Sequence, residues 1–477
     1  MGTDENAKSG LSRRDFLRRS SAMVAVPLVA SSTPPGVRPN VVLIISDQFR
    51  WDCIGAYGLN PLKLTPNLDA MVTEGTGFLN AMTNQPVCGP SRACLFTGNY
   101  TNHHSVWRNG IPLSPESVTL AKLFRSAGYT ANYIGKWHLA PENHADPATL
   151  GAVPKQYRGG FDDVWEGCNV LEFTSHPYEG TIWNADGTEI RFKDTYRVDF
   201  ITDRVVRFLR GQPREPFLLV ISYLEPHFQN DCNCFVAPKG YAEHYRNSFV
   251  PGDLSFFPGD WQEQLPEYYG CIARVDENVG RLRQELAALH LADHTVVVFL
   301  SDHGCHFRTR NPEYKRSGHE SSIHIPLIIA GSGFSGMRPV KNLVSQIDIA
   351  PTLLEVAGIA VPPTVQGHSF LSLVDGRRGD WRDEVFIQIS ESMTGRALRT
   401  PQWSYIVAEP NGKSHPSAST YVEYQLYDLF ADPHQLVNLA GRRETREISG
   451  YLRDRLLVRI KEAGEEPSQI LPAPLYP

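Results

Sequence analysis

Between Asn40 and Ala330 the chain repeats one pattern, a short run of consecutive apolar residues that stops at a polar residue, followed by an amphipathic stretch. Val41 to Ile45 is five apolar residues closing on Ser46-Asp47. Tyr129 to Ile134 closes on Gly135-Lys136, Phe217 to Tyr223 on Glu225-Pro226-His227, and Thr295 to Leu300 on Ser301-Asp302-His303-Gly304. Pro326 to Ala330 is a further run. A strand that is apolar throughout, rather than at alternate positions, must be covered on both faces, and parallel sheets sandwiched between helices provide that cover. The intervening stretches read as those helices. Thr65-Pro66 has the form of a cap followed by proline at the first helical position, with Gly75 as the stop, and Leu120 to Ala127 ends at Gly128. Apolar residues at 272, 275, 279, 282, 286 and 289 mark one face of a long helix from Ile272 to Leu289.

The sequence therefore predicts an α/β fold with a mostly parallel central sheet flanked by helices. Asp47, Lys136, His227 and Asp302 all lie just past the C-terminal ends of predicted strands, which is where open α/β sheets place their sites. Beyond Pro362-Pro363 the pattern shortens to strands such as Val385 to Ile389 and Tyr405 to Ala408, then a helical stretch from Arg446 to Ala463. This predicts a catalytic domain over 38–374 and a smaller α+β domain over 375–477. The segments 140–200 and 228–260 carry no readable pattern.

The first residues differ from the rest. Ser12-Arg13-Arg14-Asp15-Phe16-Leu17 precedes a weakly apolar stretch, Ala22 to Ala30, broken by Pro27. It resembles a twin-arginine export signal over 1–32, and it is far short of the roughly 20 residues a membrane span needs. The expectation is export through the twin-arginine machinery to the periplasm or beyond, with no membrane span in the mature protein. A net charge of −6 and no dense Lys/Arg run past the N-terminus argue against nucleic acid as a partner. The eight cysteines, Cys53, Cys88, Cys94, Cys168, Cys232, Cys234, Cys271 and Cys305, include no CxxC pair and no zinc spacing. Cys232 and Cys234 are open to disulfides or to remaining free thiols.

The strongest local signal is Cys88-Gly89-Pro90-Ser91-Arg92-Ala93-Cys94-Leu95-Phe96-Thr97-Gly98. Its Cys, Pro, Ser and Arg, with the later Leu95, Thr97 and Gly98, resemble the sulfatase signature C-x-P-S-R followed by L-x-T-G. The four-residue match alone arises by chance in about one chain of this length in a thousand. Cys94 departs from the family, which more often has Ser or Ala there. Pro90 suits the first turn of a helix ending at Gly98, which puts Cys88 at a helix N-terminus.

The chain is thus identified as resembling the type I sulfatases of the alkaline phosphatase superfamily. The resemblance implies that Cys88 is oxidised to formylglycine (3-oxoalanine) by a formylglycine-generating enzyme, before folding and therefore before export. Asp47-Gln48 and Asp302-His303 resemble the family's metal-binding pairs, which implies a Ca²⁺ ion, or Mg²⁺, at oxygen-rich ligands that include the modified Cys88. Gln48 replaces the second aspartate of many sulfatases, as in choline sulfatases and phosphonate monoester hydrolases. Gly135-Lys136-Trp137-His138 resembles the family's G-K-W-H-L, in which the lysine clamps a sulfate oxygen and the histidine contacts the hydrated aldehyde. By the same resemblance Arg92 stabilises the hydrate, Lys315 is a second sulfate-binding lysine with Arg316 as its rival, and His227 protonates the leaving alcohol. Leu426-Tyr427-Asp428-Leu429, Asp432-Pro433 and Asn438-Leu439 resemble elements near the family's C-terminus.

A cysteine phosphatase loop needs arginine six residues after the nucleophile, where Cys94 stands, and a thiol protease has no use for the carboxylate pairs. The expected activity is hydrolysis of a sulfated carbohydrate or small sulfate ester. Cleavage of phosphonate or phosphate esters on the same fold and non-catalytic binding of sulfated glycans are the alternatives. His103, His104, His306, Arg308 and His319 lie near the motifs and either shape the substrate pocket or are merely solvated.

Overall fold

The computed structural model describes residues 38–334, 336, 338–377, 379–412 and 414–476, and the export signal expected over 1–32 lies outside them. Five parallel strands form the middle of a twelve-stranded sheet. In spatial order they are Thr295–Ser301, Asn40–Ser46, Phe217–Tyr223, Thr130–Lys136 and Trp165–Cys168. Ser46 sits opposite both Ser301 and Tyr223, and Gly135 opposite Ser222, so these strands finish level with one another. That register brings Asp47, Lys136, His227 and Asp302 to one edge.

Both faces of this block are buried, for a reason written in the strands. Along Asn40–Ser46, Val42 and Ile44 point into one core with Ile221, Phe299 and the helix residues Ile272, Val275 and Val279. Val41, Leu43 and Ile45 point into the other, against Val220, Leu300, Leu120, Phe124 and Leu353. Alternate side chains thus serve opposite cores, and each one buried contributes roughly 1.5–3 kcal/mol.

The flanks of the sheet are mostly antiparallel, the exception being Val340–Ser345, which runs parallel to Thr76–Met82. Leu327–Gly331, expected one residue earlier, runs against Thr295–Ser301 and in turn pairs with Thr76–Met82. At the other side the hairpin Glu179–Asn184 and Glu189–Lys193 extends the sheet. It falls in the unreadable stretch 140–200 because Ile182 and Phe192 are its only buried side chains.

Two helical details differ from expectation. The long helix runs Trp261–Ala288, about three turns longer at its start than the periodicity indicated. Pro266 lies inside that extra length and the polar Gln262, Glu263 and Gln264 hide it. The helix Pro66–Glu74 begins after Thr65 as read, but Thr65 does not cap it. Thr65 Oγ1 accepts from Gly55 N, while Asp276 of the long helix accepts from the Asn67 and Leu68 amides of the first turn at 3.1 and 2.8 Å.

A second sheet of five strands follows, in the order Val385–Ile389, Gly395–Arg399, Trp403–Ala408, Thr420–Asp428 and Gln469–Leu471. The helix Arg446–Glu462 covers it through Leu452, Leu456 and Ile460, which meet Phe386, Leu398 and Tyr405. Cys232 and Cys234 form a disulfide with each other, and the remaining six cysteines are buried thiols. No described helix is long and apolar enough to cross a membrane.

Candidate active site

The segment after Val87, which is extended, turns into the helix Cys88–Thr97, whose ten residues are all buried. Gly98 ends it in the left-handed region at φ 67°, where a side chain is strained, and donates its amide to Cys94 O at 2.9 Å. Cys88 therefore stands at the helix N-terminus, as the motif predicted. Its Sγ lies 2.8 Å from Lys315 Nζ, 3.2 Å from His303 Nε2 and 3.6 Å from Asp47 Oδ1. Burial alone would push this thiol up, but Lys136, Lys315 and His303 outweigh it and hold Cys88 well below the ordinary thiol range.

One turn along, Arg92 is fully buried and fastens the strand ends together. Its Nε donates to Asp302 Oδ2 and its Nη2 to Asp47 Oδ2, both at 3.1 Å. Its Nη1 donates to the Lys136 carbonyl at 3.0 Å and to Ser222 Oγ at 2.7 Å. Lys136 Nζ is shared between Asp47 Oδ2 and Glu172 Oε1, at 2.8 Å each. The glycine before it is required. Gly135 has φ 118°, and a Cβ there would lie 2.0 Å from the Ser222 carbonyl oxygen of the neighbouring strand. His138, at φ 65°, anchors Nε2 on Glu142 Oε2 at 3.2 Å. Burial disfavours its charge, yet Cys88 and Glu142 raise it to about 9.

Behind Cys88 the ligating atoms of Asp47, Asp302, His303 and Cys88 itself converge within 4.8 Å of one another. Burial and the adjacent Asp47 raise Asp302 to about 6, whereas Asp47 is lowered because Lys136, His227 and Lys315 overcome its burial and the Cys88 charge. Gln48, held at φ 68° by the Tyr268 hydroxyl on its carbonyl, gives Nε2 to Cys305 Sγ at 3.2 Å. Its Oε1 is buried with no hydrogen-bond partner. Two carboxylates, an orphaned amide oxygen and one imidazole make a donor set that fits a hard divalent cation.

Cys88, His138, Glu172, His227 and Lys315 open onto a cleft of 630 Å³. Lys315 Nζ lies 3.1 Å from His227 Nε2, and His227 Nδ1 lies 2.6 Å from the Phe228 carbonyl. Only one tautomer satisfies both contacts. Nδ1–H donates to the carbonyl, and Nε2 accepts from the ammonium. Burial and then Lys315 lower His227, consistent with that neutral ring. All ten residues named from the sequence thus meet in one cluster, but in two layers, with Asp47, Gln48, Arg92, Lys136, Asp302 and His303 behind the cleft surface. Lys315 rather than Arg316 touches Cys88, since Arg316 pairs with Glu313 and Glu391.

Comparison with known proteins decides the family. Residues 39–359 match the family model described as Sulfatase, and residues 313–462 match one described as N-sulphoglucosamine sulphohydrolase, C-terminal. This chain belongs to the sulfatase family. The ulvan-active sulfatase of Formosa agariphila is 30% identical over 446 residues, covering 90% of this chain and 82% of the relative. The multifunctional alkaline phosphatase superfamily protein PehA of Trinickia caryophylli is 28% identical over 481 residues, covering 85% and 91%. Among solved structures, the YidJ sulfatase homologue of Bacteroides fragilis superposes with a TM-score of 0.79 at 26% identity, covering 92% of this chain and 98% of that one. The protein is a sulfuric ester hydrolase of the alkaline phosphatase superfamily.

Three site residues of this sulfatase escaped the sequence reading: Glu172, which holds Lys136, Ser222, which holds Arg92, and Glu142, which holds His138. Glu172 lies among apolar neighbours in Val170-Leu171-Glu172-Phe173, and a lone charge in such a run was the one available signal. Conversely, none of His103, His104, His306, Arg308 and His319 lines the cleft. His306 Nε2 meets the Lys315 carbonyl at 3.0 Å, His104 Nε2 lies 3.4 Å from Cys94 Sγ, and His319 Nε2 lies 3.2 Å from the Tyr427 hydroxyl.

Proposed function

We propose that this sulfatase cleaves sulfate esters with a formylglycine made from Cys88 and a divalent cation held by Asp47, Gln48, Asp302 and His303. The observation that carries this is the position of Cys88 Sγ, at the cleft surface and in contact with Lys315 and His303 in front of the two carboxylates. In that arrangement the sulfur stands where a hydroxyl of the hydrated aldehyde would be. The modified residue supplies a nucleophilic hydroxyl and a second one through which sulfate is released, and Ca²⁺ or Mg²⁺ supplies positive charge against the sulfuryl oxygens.

The chain's own groups supply the rest. Lys315 Nζ, already at Cys88, neutralises an incoming sulfate oxygen, and Lys136 adds a second positive charge from behind. Arg92 keeps Asp47 and Asp302 ionised and in place. The Lys315 ammonium holds a proton against His227 Nε2, and this pair provides the acid on the cleft side where the alcohol leaves. Conversion of Cys88 to the aldehyde removes one of the groups that keep His138 charged, and the ring, oriented by Glu142, then takes the proton that must go when sulfate is released. The substrate class is a sulfated carbohydrate or another small sulfate ester, a reading supported by the relative whose name is ulvan-active sulfatase. Export by the twin-arginine route, supported by Ser12 to Leu17, places that substrate outside the cytoplasm, with Cys88 modified before export.

Gln48, which resembles the residue at that place in phosphonate monoester hydrolases, favours one second reading, hydrolysis of phosphonate or phosphate monoesters. Side-by-side rates separate the two. The expected result is a kcat/KM for 4-nitrophenyl sulfate at least about tenfold above that for 4-nitrophenyl phenylphosphonate. The reverse order would make the phosphonate the substrate type.

A further inference from the structure

One wall of the cleft is made of two chain segments that the chemistry at Cys88 does not consume, Glu172-Phe173 and Phe228 to Asn230. Glu172 is only 5% exposed and uses Oε1 on Lys136. Its other carboxylate oxygen, Oε2, is buried without a hydrogen-bond partner, and so is the Oδ1 of Asn230. A buried acceptor left unpaired costs about 1–3 kcal/mol. Both residues line the same cleft, which marks this part of it as a surface that a ligand's donors complete.

The wall is rigidly built. Gln229, between Phe228 and Asn230, donates Nε2 to the Ser175 carbonyl at 2.9 Å and reaches the Glu172 carbonyl at 3.4 Å. Its Oε1 accepts from Arg197 Nη1 at 3.1 Å, and Arg197 is itself paired with Glu225 in a buried salt bridge. The two segments are therefore tied to each other by side-chain-to-backbone bonds. Each carries an aromatic ring to the cleft. Phe173 is 47% exposed, and Phe228 stacks on His227 with centroids 4.5 Å apart. Apolar ring faces beside fixed acceptors suit a ligand with C–H faces and hydroxyl donors at its edge.

We infer that this wall is a sugar subsite in which Glu172 and Asn230 accept hydrogen bonds from free hydroxyl groups of a saccharide whose sulfate ester lies at Cys88. The inference rests on the sulfate-ester reading of the Cys88 site and narrows its substrate to saccharides. A simple aryl or alkyl sulfate offers these acceptors no donor. A second sulfate on the neighbouring carbon would bring a like charge against the Glu172 carboxylate, so the wall also selects against it.

The test uses the full-length, modified enzyme with 4-nitrophenyl sulfate and with methyl pyranoside monosulfates, each compared with the deoxy analogue lacking the hydroxyl next to the sulfate. The wild type should prefer the hydroxyl-bearing member of at least one pair by about 10- to 100-fold in kcat/KM, the value of a hydrogen bond to a charged group. Glu172→Gln should shrink that preference about tenfold or more. Asn230→Ala should lower the ratio of saccharide to 4-nitrophenyl sulfate kcat/KM by about tenfold. The inference is overturned if the wild type makes no distinction within any pair, or if both variants lower saccharide and aryl rates by the same factor, which would reduce Glu172 to a support for Lys136. Wild-type turnover of 4-nitrophenyl sulfate reports on the Cys88 reading alone, and its absence would remove the basis of the inference.

Discussion

Replacement of Cys88 by alanine is expected to lower kcat/KM for every sulfate ester by at least about ten-thousand-fold, with the far-ultraviolet circular dichroism unchanged. The expectation follows from position. Cys88 is the one residue of the cluster that both faces the cleft and touches a lysine, a histidine and a metal-site carboxylate. Removing it leaves Lys315, Lys136 and the carboxylate pair in place but deletes the atom to which sulfate would be transferred. The fold has little reason to respond, since the helix Cys88–Thr97 keeps its remaining buried residues and its Gly98 terminus. A variant that retained a tenth of the wild-type rate would show that some other group, or water alone, attacks the ester.

Arg92→Met is expected to act on stability as well as on turnover. Arg92 is completely buried and is the only arginine bonded to both Asp47 and Asp302 among the described residues. Burial of its charge is compensated by those two carboxylates, which together raise its pKa far above the usual range. Taking the guanidinium away leaves two adjacent carboxylates short of a partner in a site closed to water. Breaking a buried pair from one side costs about 3–5 kcal/mol. Urea unfolding of the metal-free protein measures this directly. The midpoint should fall with little change in slope, and a loss below about 1 kcal/mol would mean that Lys136 and His303 already balance the carboxylates without Arg92. Addition of Ca²⁺ should recover part of the loss, because a cation bound only by the folded state stabilises it.

The parts of the fold that the sequence announced are those buried on both faces. Phe217–Tyr223 and Val385–Ile389 have the bounds that their apolar runs predict, because every residue in them is covered. The hairpin between Glu179 and Lys193 gave no such run, being half exposed, and the first turns of the long helix were hidden by Pro266. The site follows the same logic. Asp47, Lys136, His227 and Asp302 could be placed at one edge because each ends a readable strand. What could not be foreseen is how charges are shared across elements far apart in the chain. Glu172 reaches Lys136 from a segment with no motif, and Thr65 gives up its capping role to Asp276 from the long helix. Such pairings depend on the third dimension alone, and no spacing in the chain records them.

Mass spectrometry of the peptide spanning Cys88, from protein made together with a formylglycine-generating enzyme, tests the central claim most directly. Conversion of the thiol to the aldehyde lowers the peptide mass by about 18 Da. The account predicts that shift, its absence when the generating enzyme is omitted, and sulfatase turnover in proportion to it. A Cys88 that remained a thiol under conditions that convert a control sulfatase, in a preparation that still hydrolysed sulfate esters, would contradict it.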